Sequence, residues 1–256
     1  MRKNNLLLRL FVLAVFVIVA PACAIKTNIP ANRFQSPEAR GETWHGSVHL
    51  ALHGATEITL VSDYSRQPPI TTAPEVDRGG LITLGVDLGL LERLDLSVQT
   101  PIDAPITVGA KYQLLGTPEE EAAAGNISLA VTGSIGVHGE TGESKNAMTS
   151  VDSKYEMDAA LFDTALIMGY RLDEYVLFYG GPFIAAYSAN GEITQPASSS
   201  TKFKFEGSGS QYGANLGVRF HFGGFLLMVE EAWVNASYET QKQVGFYTGI
   251  LGGFKW

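Results

Sequence analysis

The stretch Leu81-Ile82-Thr83-Leu84-Gly85-Val86-Asp87-Leu88-Gly89-Leu90 decides the fold class. Ile82, Leu84, Val86, Leu88 and Leu90 share one face of an extended chain, and Leu81, Thr83, Gly85, Asp87 and Gly89 share the other. Side chains of a strand alternate with period two, so this is a strand with two chemically different faces. The pattern recurs along the chain. Leu94, Leu96 and Val98 oppose Arg93, Asp95, Ser97 and Gln99; Ile106, Val108, Ala110, Tyr112 and Leu114 oppose Thr107, Gly109, Lys111 and Gln113. Ile127, Leu129, Val131, Ile135 and Val137 oppose Asn126, Ser128, Thr132, Ser134 and His138. Tyr212, Ala214, Leu216, Val218, Phe220 and Phe222 oppose Gln211, Asn215, Arg219 and His221.

Weaker strands complete the set. Residues 43–53 alternate and run on toward Leu60, 155–171 and 175–190 are long and tyrosine-rich, and 225–238 and 243–256 close the chain. That gives ten strands, several near the roughly 9–11 residues a tilted strand needs to cross a bilayer. The longest connections, 61–76, 139–154 and 191–208, are all odd-numbered, whereas those at 91–92, 172–174 and 223–224 are tight. Short turns on one side and longer loops on the other are the asymmetry of outer-membrane barrels, and parity then puts both chain ends in the periplasm.

Alternation alone does not say which face meets lipid. Composition does: no charge falls on the apolar face of the five clean strands, and the opposite face is mostly Gly, Ser, Thr, Asn and Gln. A water-facing surface is usually rich in Lys and Glu. The expectation is therefore an antiparallel barrel with Leu84, Val86, Leu96, Val108, Val131, Leu216 and Val218 outside. Asp87, Asp95, Lys111, His138, Arg219 and His221 line its lumen. Only Glu230 and Glu231 resist this pattern, since neighbours on a strand point opposite ways. A β-bulge between residues 229 and 232, turning both carboxylates to the lumen near Arg219, would accommodate them. The alternative is that the stretch lies beyond the bilayer with one glutamate solvated. Regular pairing with a glutamate inside the apolar belt would contradict both and count against the membrane reading.

Composition excludes several classes. The chain has 256 residues, of which 45% are hydrophobic and 17% charged, which argues against a disordered chain. A net charge of −8 leaves no basic stripe for nucleic acid, and one cysteine rules out a disulfide framework. Arg2, Lys3 and Arg9 followed by the apolar run 10–19 and Ala20-Pro21-Ala22-Cys23 read as a signal peptide, residues 1–22. Residues 23–42, with two prolines and no periodicity, read as a tether ahead of a barrel domain at 43–256.

The small residues before Cys23 resemble the lipobox of bacterial lipoproteins, which implies a lipid-modified Cys23; Ala20 stands where that family usually has leucine. Ordinary signal-peptidase cutting near Ala22 or Ala24 is the alternative. At the other end Val244, Phe246, Thr248, Ile250, Gly252, Phe254 and Trp256 share a face and the chain stops on an aromatic. This resembles the terminal strand of bacterial outer-membrane β-barrel proteins and implies recognition by the barrel-assembly machinery.

Motifs of known barrel enzymes are absent or misplaced. His45-Gly46-Ser47 has the His-x-Ser spacing of outer-membrane deacylases, but lies on the lumen side of the first strand, away from a lipid substrate. The Asp-x-His of omptin-type proteases does not occur. His45, His49 and His53 are four residues apart, about 13 Å per step along a strand, and cannot share one metal ion. With the lumen charges they form a hydrogen-bond network instead. No catalytic residue, metal or cofactor is expected. The reading is a non-enzymatic outer-membrane barrel with a structural or surface-interaction role, in contact with outer-membrane lipid. A narrow small-solute pore and a periplasmic lipid-binding barrel are the alternatives.

Overall fold

The computed structural model describes residues 23–70, 75–146, 151–195 and 201–256, all of them strand, turn or coil. The expected signal peptide, 1–22, lies outside the described residues. Eleven strands form one antiparallel sheet: β1 (Ile25–Pro30), β2 (Gly46–Val61), β3 (Glu75–Leu91), β4 (Leu94–Pro101), β5 (Ile106–Leu115), β6 (Ile127–Asn146), β7 (Val151–Arg171), β8 (Val176–Gln195), β9 (Thr201–Phe222), β10 (Phe225–Tyr238) and β11 (Gln241–Lys255). Sequential hairpins run from β2 to β11, and β2 pairs with both β3 and β11, so these strands close into a ring.

The apolar face points outward. Ile127, Ile135 and Val137 on β6 are 63%, 67% and 70% exposed, while Ser128 and Thr132 between them are buried. From Ile127 to Val137 is ten residue steps; at about 3.3 Å per step and a tilt of about 40° they rise about 25 Å, the height of the apolar band on membrane barrels. Leu84, Val86, Leu96, Val108, Val131 and Leu216 are exposed on the same outer surface, and Val218 is half-buried there.

β1 is not part of the wall. β2 pairs with β11 only through Ser47–Leu52 against Lys255–Ile250. Above that, Ala55–Val61 pairs with β1 instead, antiparallel, with Ile29 opposite Thr56 and Asn28 opposite Glu57. Thr56, Ile58 and Leu60 are buried, and the Thr56 hydroxyl lies 3.2 Å from Gln211 on the inner face of β9. The β1–β2 pair is thus folded into the lumen. There Ile25, Ile29, Ile58 and Leu60 pack against Met157, Leu161, Tyr187 and Tyr238 from the inner faces of β7, β8 and β10. A second cluster below it joins Phe34 to Ile167, Tyr179, Phe183, Met228 and Leu251. Filling the barrel with apolar side chains removes them from water without exposing them to lipid.

Four expectations need correction. Residues 25–40 are not a tether but a plug, with Ile25, Ala31, Phe34, Glu38 and Ala39 all buried. The described chain begins opposite its C-terminus. The Cys23 carbonyl accepts from Tyr64 N–H on the β2–β3 loop, whereas Trp256 pairs with Gly46 at the other mouth. Much of the long connections 139–154 and 191–208 is strand, because β6–β7 and β8–β9 continue as tall hairpins beyond the apolar band.

Lastly, no bulge occurs in β10: Val229, Glu230, Glu231 and Ala232 pair in register with β9 and β11. Glu230 points inward and is buried; Glu231 points outward beside Leu216 and accepts from the Thr248 hydroxyl at 2.6 Å. Both parities of β10 are apolar because its inner face packs on the plug. Phe225, Leu227 and Val229 on one parity and Ala232, Val234, Ala236 and Tyr238 on the other, which read as an outward face that switches, are therefore the two apolar faces of one regular strand. A carboxylate on the lipid face costs less than the roughly 2–4 kcal/mol of Lys or Arg, and Thr248 meets one of its oxygens.

Candidate functional site

The plug and the charges that hold it form the most densely bonded part of the molecule. The chain turns sharply at Phe34, whose φ of 51° lies in the left-handed region. That turn presents two successive amides to one carboxylate: Arg33 N and Phe34 N donate to Glu230 Oε1 and Oε2 at 2.8 and 3.0 Å. The Tyr179 hydroxyl donates to Oε2 at 3.0 Å. Consecutive amides around an anion make a nest, and here the anion is part of the wall. Asn32 bridges the split between β2 and β11, donating to Tyr247 O at 3.2 Å and accepting from Gly54 N at 3.1 Å. Arg33 reaches Asp163 on β7, with Nε 3.0 Å from Oδ2, and its guanidinium carbon lies 3.3 Å from the centre of the Phe183 ring. Both ends of that ion pair are largely desolvated.

Toward the mouth that holds the C-terminus, the plug becomes a charge lattice. Glu38 pairs with Arg171, whose Nε is 3.0 Å from Oε1, and its carbonyl accepts from Lys111 Nζ at 2.6 Å. Lys111 also pairs with Asp95 at 2.9 Å, and Asp95 Oδ1 accepts from Arg40 N at 3.1 Å. Arg40 reaches Asp87 at 3.5 Å and Glu119 at 3.2 Å.

Glu119 lies on the β5–β6 connection, whose ends carry Gly116 and Gly125 at φ near 90°. It is buried among Arg219 at 2.7 Å, His221 at 3.3 Å, Arg40 and Lys255. Burial alone would raise its pKa, but Arg219, Arg40, Lys255 and His221 outweigh that and hold it well below the ordinary carboxylate range. At the opposite mouth Gln195 Nε2 donates to Tyr64 O on the β2–β3 loop at 3.2 Å and to Ser153 Oγ at 3.1 Å.

Of the six residues that the alternation assigns to the lumen, Asp87, Asp95, Lys111, Arg219 and His221 converge on this lattice near one mouth. His138 does not: it sits toward the outer end, 3.5 Å from Glu140. Cys23 is farther still, its sulfur 3.1 Å from Ser144 Oγ. His45 lies half-exposed at the lower mouth beside Glu42 and Glu120, while His53 meets Thr83 at 2.8 Å. Among the described residues no group of three or more His, Cys, Asp or Glu is placed to hold a metal. The sequence reasoning missed Arg33, Glu38 and Arg40, Glu119, Asp163 and Arg171. The available signal was Ile25, Ile29 and Phe34 in one short stretch with Arg33, Glu38 and Arg40, an unusual mixture for a solvated tether.

An open cleft of about 270 Å³ lies at the mouth that holds the C-terminus, beside Glu119, Arg171, His221 and Lys255, whereas the voids beside the plug are small. Two cavities of about 30 Å³ each flank the plug, one lined by Arg40, Asp87, Asp95 and Lys111, the other by Arg33, Gln99, Thr107 and Asp163. Each has room for a water molecule or two.

No family model matches the sequence, and no curated protein matches it. Solved structures resembling it include Ail, the attachment invasion locus protein of Yersinia pestis, at 12% identity over 84% of this chain and 100% of that one, TM-score 0.32. Another is the outer membrane protease OmpT of Escherichia coli, at 9% identity over 92% of this chain and 98% of that one, TM-score 0.40. A third is the N-terminal β-barrel domain of Pseudomonas aeruginosa OprF, at 10% identity over 84% and 100%, TM-score 0.26. At these values they carry no argument about activity. The closed antiparallel sheet and its apolar outer belt do the classifying: the chain is a transmembrane β-barrel of the bacterial outer-membrane type.

Proposed function

We propose that the protein is a sealed, non-enzymatic outer-membrane barrel whose outer hairpins serve a structural or surface-interaction role. The plug carries this reading, because residues 25–40 fill the lumen from one mouth to the other and pair with the wall charges that could otherwise select a solute. A pore needs a continuous wet path lined by available charges, and here those charges are spent on the plug. The tall hairpins support the second half of the proposal. Glu156, Asp158, Glu192, Lys202, Lys204 and Glu206 crowd the walls above the apolar band, a hydrophilic surface suited to contacts outside the membrane.

Planar-bilayer conductance tests it. The intact chain is expected to give no steady current, and deletion of residues 25–40 to give a stable open level. Steady current through the intact chain would overturn the sealed reading in favour of a small-solute pore walled by Asp87, Asp95, Lys111 and Arg219.

A further inference from the structure

The direction of the plug has a topological consequence. Its two ends are fixed at opposite mouths. Glu38 and Arg40 are tied to Arg171 and Glu119, beside the β7–β8 turn and on the β5–β6 connection. At the far end Asn28 Nδ2 donates to Asp103 O on the β4–β5 turn, Cys23 O accepts from Tyr64 N, and Cys23 Sγ touches Ser144 on the β6–β7 hairpin. Val137 is the last apolar residue on the outer face of β6, and Ser144 lies seven residues farther on. At about 3.3 Å per residue and a tilt of about 40°, Cys23 stands roughly 18 Å beyond the apolar band. The buried Arg33–Asp163 pair and the Glu230 nest between these ends leave the segment no freedom to slide.

We propose that the barrel delivers its N-terminal end to the cell surface: the chain reaches Ile25 from outside, and a mature terminus at Cys23 lies above the outer leaflet. This goes beyond the sealed-lumen reading, since a sealed barrel could be plugged from either mouth. It also bears on lipidation. With its sulfur on Ser144, Cys23 stands too far beyond the apolar band for an acyl group on it to anchor the chain in this arrangement, and it is on the opposite side from the periplasmic face that strand parity suggests.

Thiol labelling of whole cells decides it. Cys23 is the chain's one cysteine, so Cys23→Ser gives a thiol-free background. In that background Lys26→Cys places a thiol at the one exposed position of otherwise buried β1, and Glu174→Cys places one on the exposed β7–β8 turn. A membrane-impermeant maleimide is expected to modify Lys26→Cys on intact cells as fully as after lysis. Glu174→Cys is expected to react only once the outer membrane is permeabilised. The reverse pattern, or protection of Lys26→Cys until permeabilisation, overturns the proposal. An epitope inserted between Cys23 and Ala24 gives a readout independent of thiol reactivity. Antibody staining of unpermeabilised cells supports surface display, and staining only after permeabilisation overturns it. Conductance does not read which mouth the terminus uses, so this proposal and the sealed-lumen reading fail separately.

Discussion

The two halves of the barrel wall obey the same geometry with different chemistry. From β3 to β6 the inner face carries Thr83, Asp87, Ser97, Gln99, Thr107, Lys111, Ser128, Thr132 and Ser134, and the small cavities lie on this side. From β7 to β10 the inner face carries Met157, Leu161, Ile167, Tyr179, Phe183, Tyr187, Met228, Val234 and Tyr238, packed on the plug. The first half is apolar only toward lipid. In the second, β7, β8 and β10 are largely apolar on both faces where they meet lipid on one side and Ile25, Ile29 and Phe34 on the other, while β9 keeps Gln211, Asn215, Arg219 and His221 inside. A strand between two apolar phases has no reason to alternate, just as buried parallel strands do not. The plug is therefore an asymmetric wedge, packed against one wall and tied by ion pairs and charged hydrogen bonds to both.

The largest effect is expected where those two attachments meet. Arg33 stacks on Phe183 and pairs with buried Asp163, both on the apolar half. Arg33→Ala leaves the Asp163 carboxylate buried without its cation, which should destabilise the fold by about 3–5 kcal/mol. The double change Arg33→Ala with Asp163→Ala should recover much of that loss. Unfolding by denaturant in detergent measures both. A double variant no more stable than the single one would show that packing, not charge, seats the plug on this wall.

A smaller effect, and one that depends on pH, is expected at the lower mouth. Glu119 is held below the ordinary carboxylate range in the folded protein by Arg219, Arg40, Lys255 and His221. A depressed carboxylate adds stability that is complete above its unfolded value of about 4 and disappears as pH falls through the lower folded value. Acidification should therefore weaken the mouth, and Glu119→Gln should bring that weakening to neutral pH at a cost of about 2–3 kcal/mol. The difference between wild type and variant in unfolding midpoint should shrink as pH drops below the carboxylate range. A difference independent of pH would assign Glu119 a steric role.

This comparison also explains what could be read from the sequence. β3 to β6 were legible residue by residue, since Leu84 or Val108 against Asp87 or Lys111 leaves no choice of face. The ring closure and the aromatic end at Trp256 were legible too. The plug was not, because β1 is only six residues long and its charges have partners tens of positions away or, as Arg33 has in Asp163, more than a hundred. Glu230 and Glu231 suggested a bulge for the same reason. Without knowledge that the lumen is apolar beside β10, Ala232, Val234 and Ala236 appear to belong outside. Orientation of the N-terminal end required the plug itself, since strand parity begins counting at β2.

Glu231 supplies the weakest and most discriminating prediction. It lies on the outer face between Leu216 and Thr248, with Val229 and Trp233 exposed two residues to either side. Its register neighbour Glu230 is indispensable to the plug turn, whereas Glu231 contacts only the Thr248 hydroxyl among the side-chain hydrogen bonds of this face. If the surface is lipid-facing, removing that carboxylate is favourable, and Glu231→Leu should stabilise the barrel in bilayers by about 1 kcal/mol, below the roughly 2–4 kcal/mol scale for Lys or Arg. Glu230→Leu should have the opposite sign, because the Arg33 and Phe34 amides would lose their acceptor inside the barrel. Folding measured in vesicles reads both signs at once. Destabilisation by Glu231→Leu would mean that this carboxylate meets a partner at the membrane face, and the simple division between a lipid side and a plug side of β10 would no longer hold.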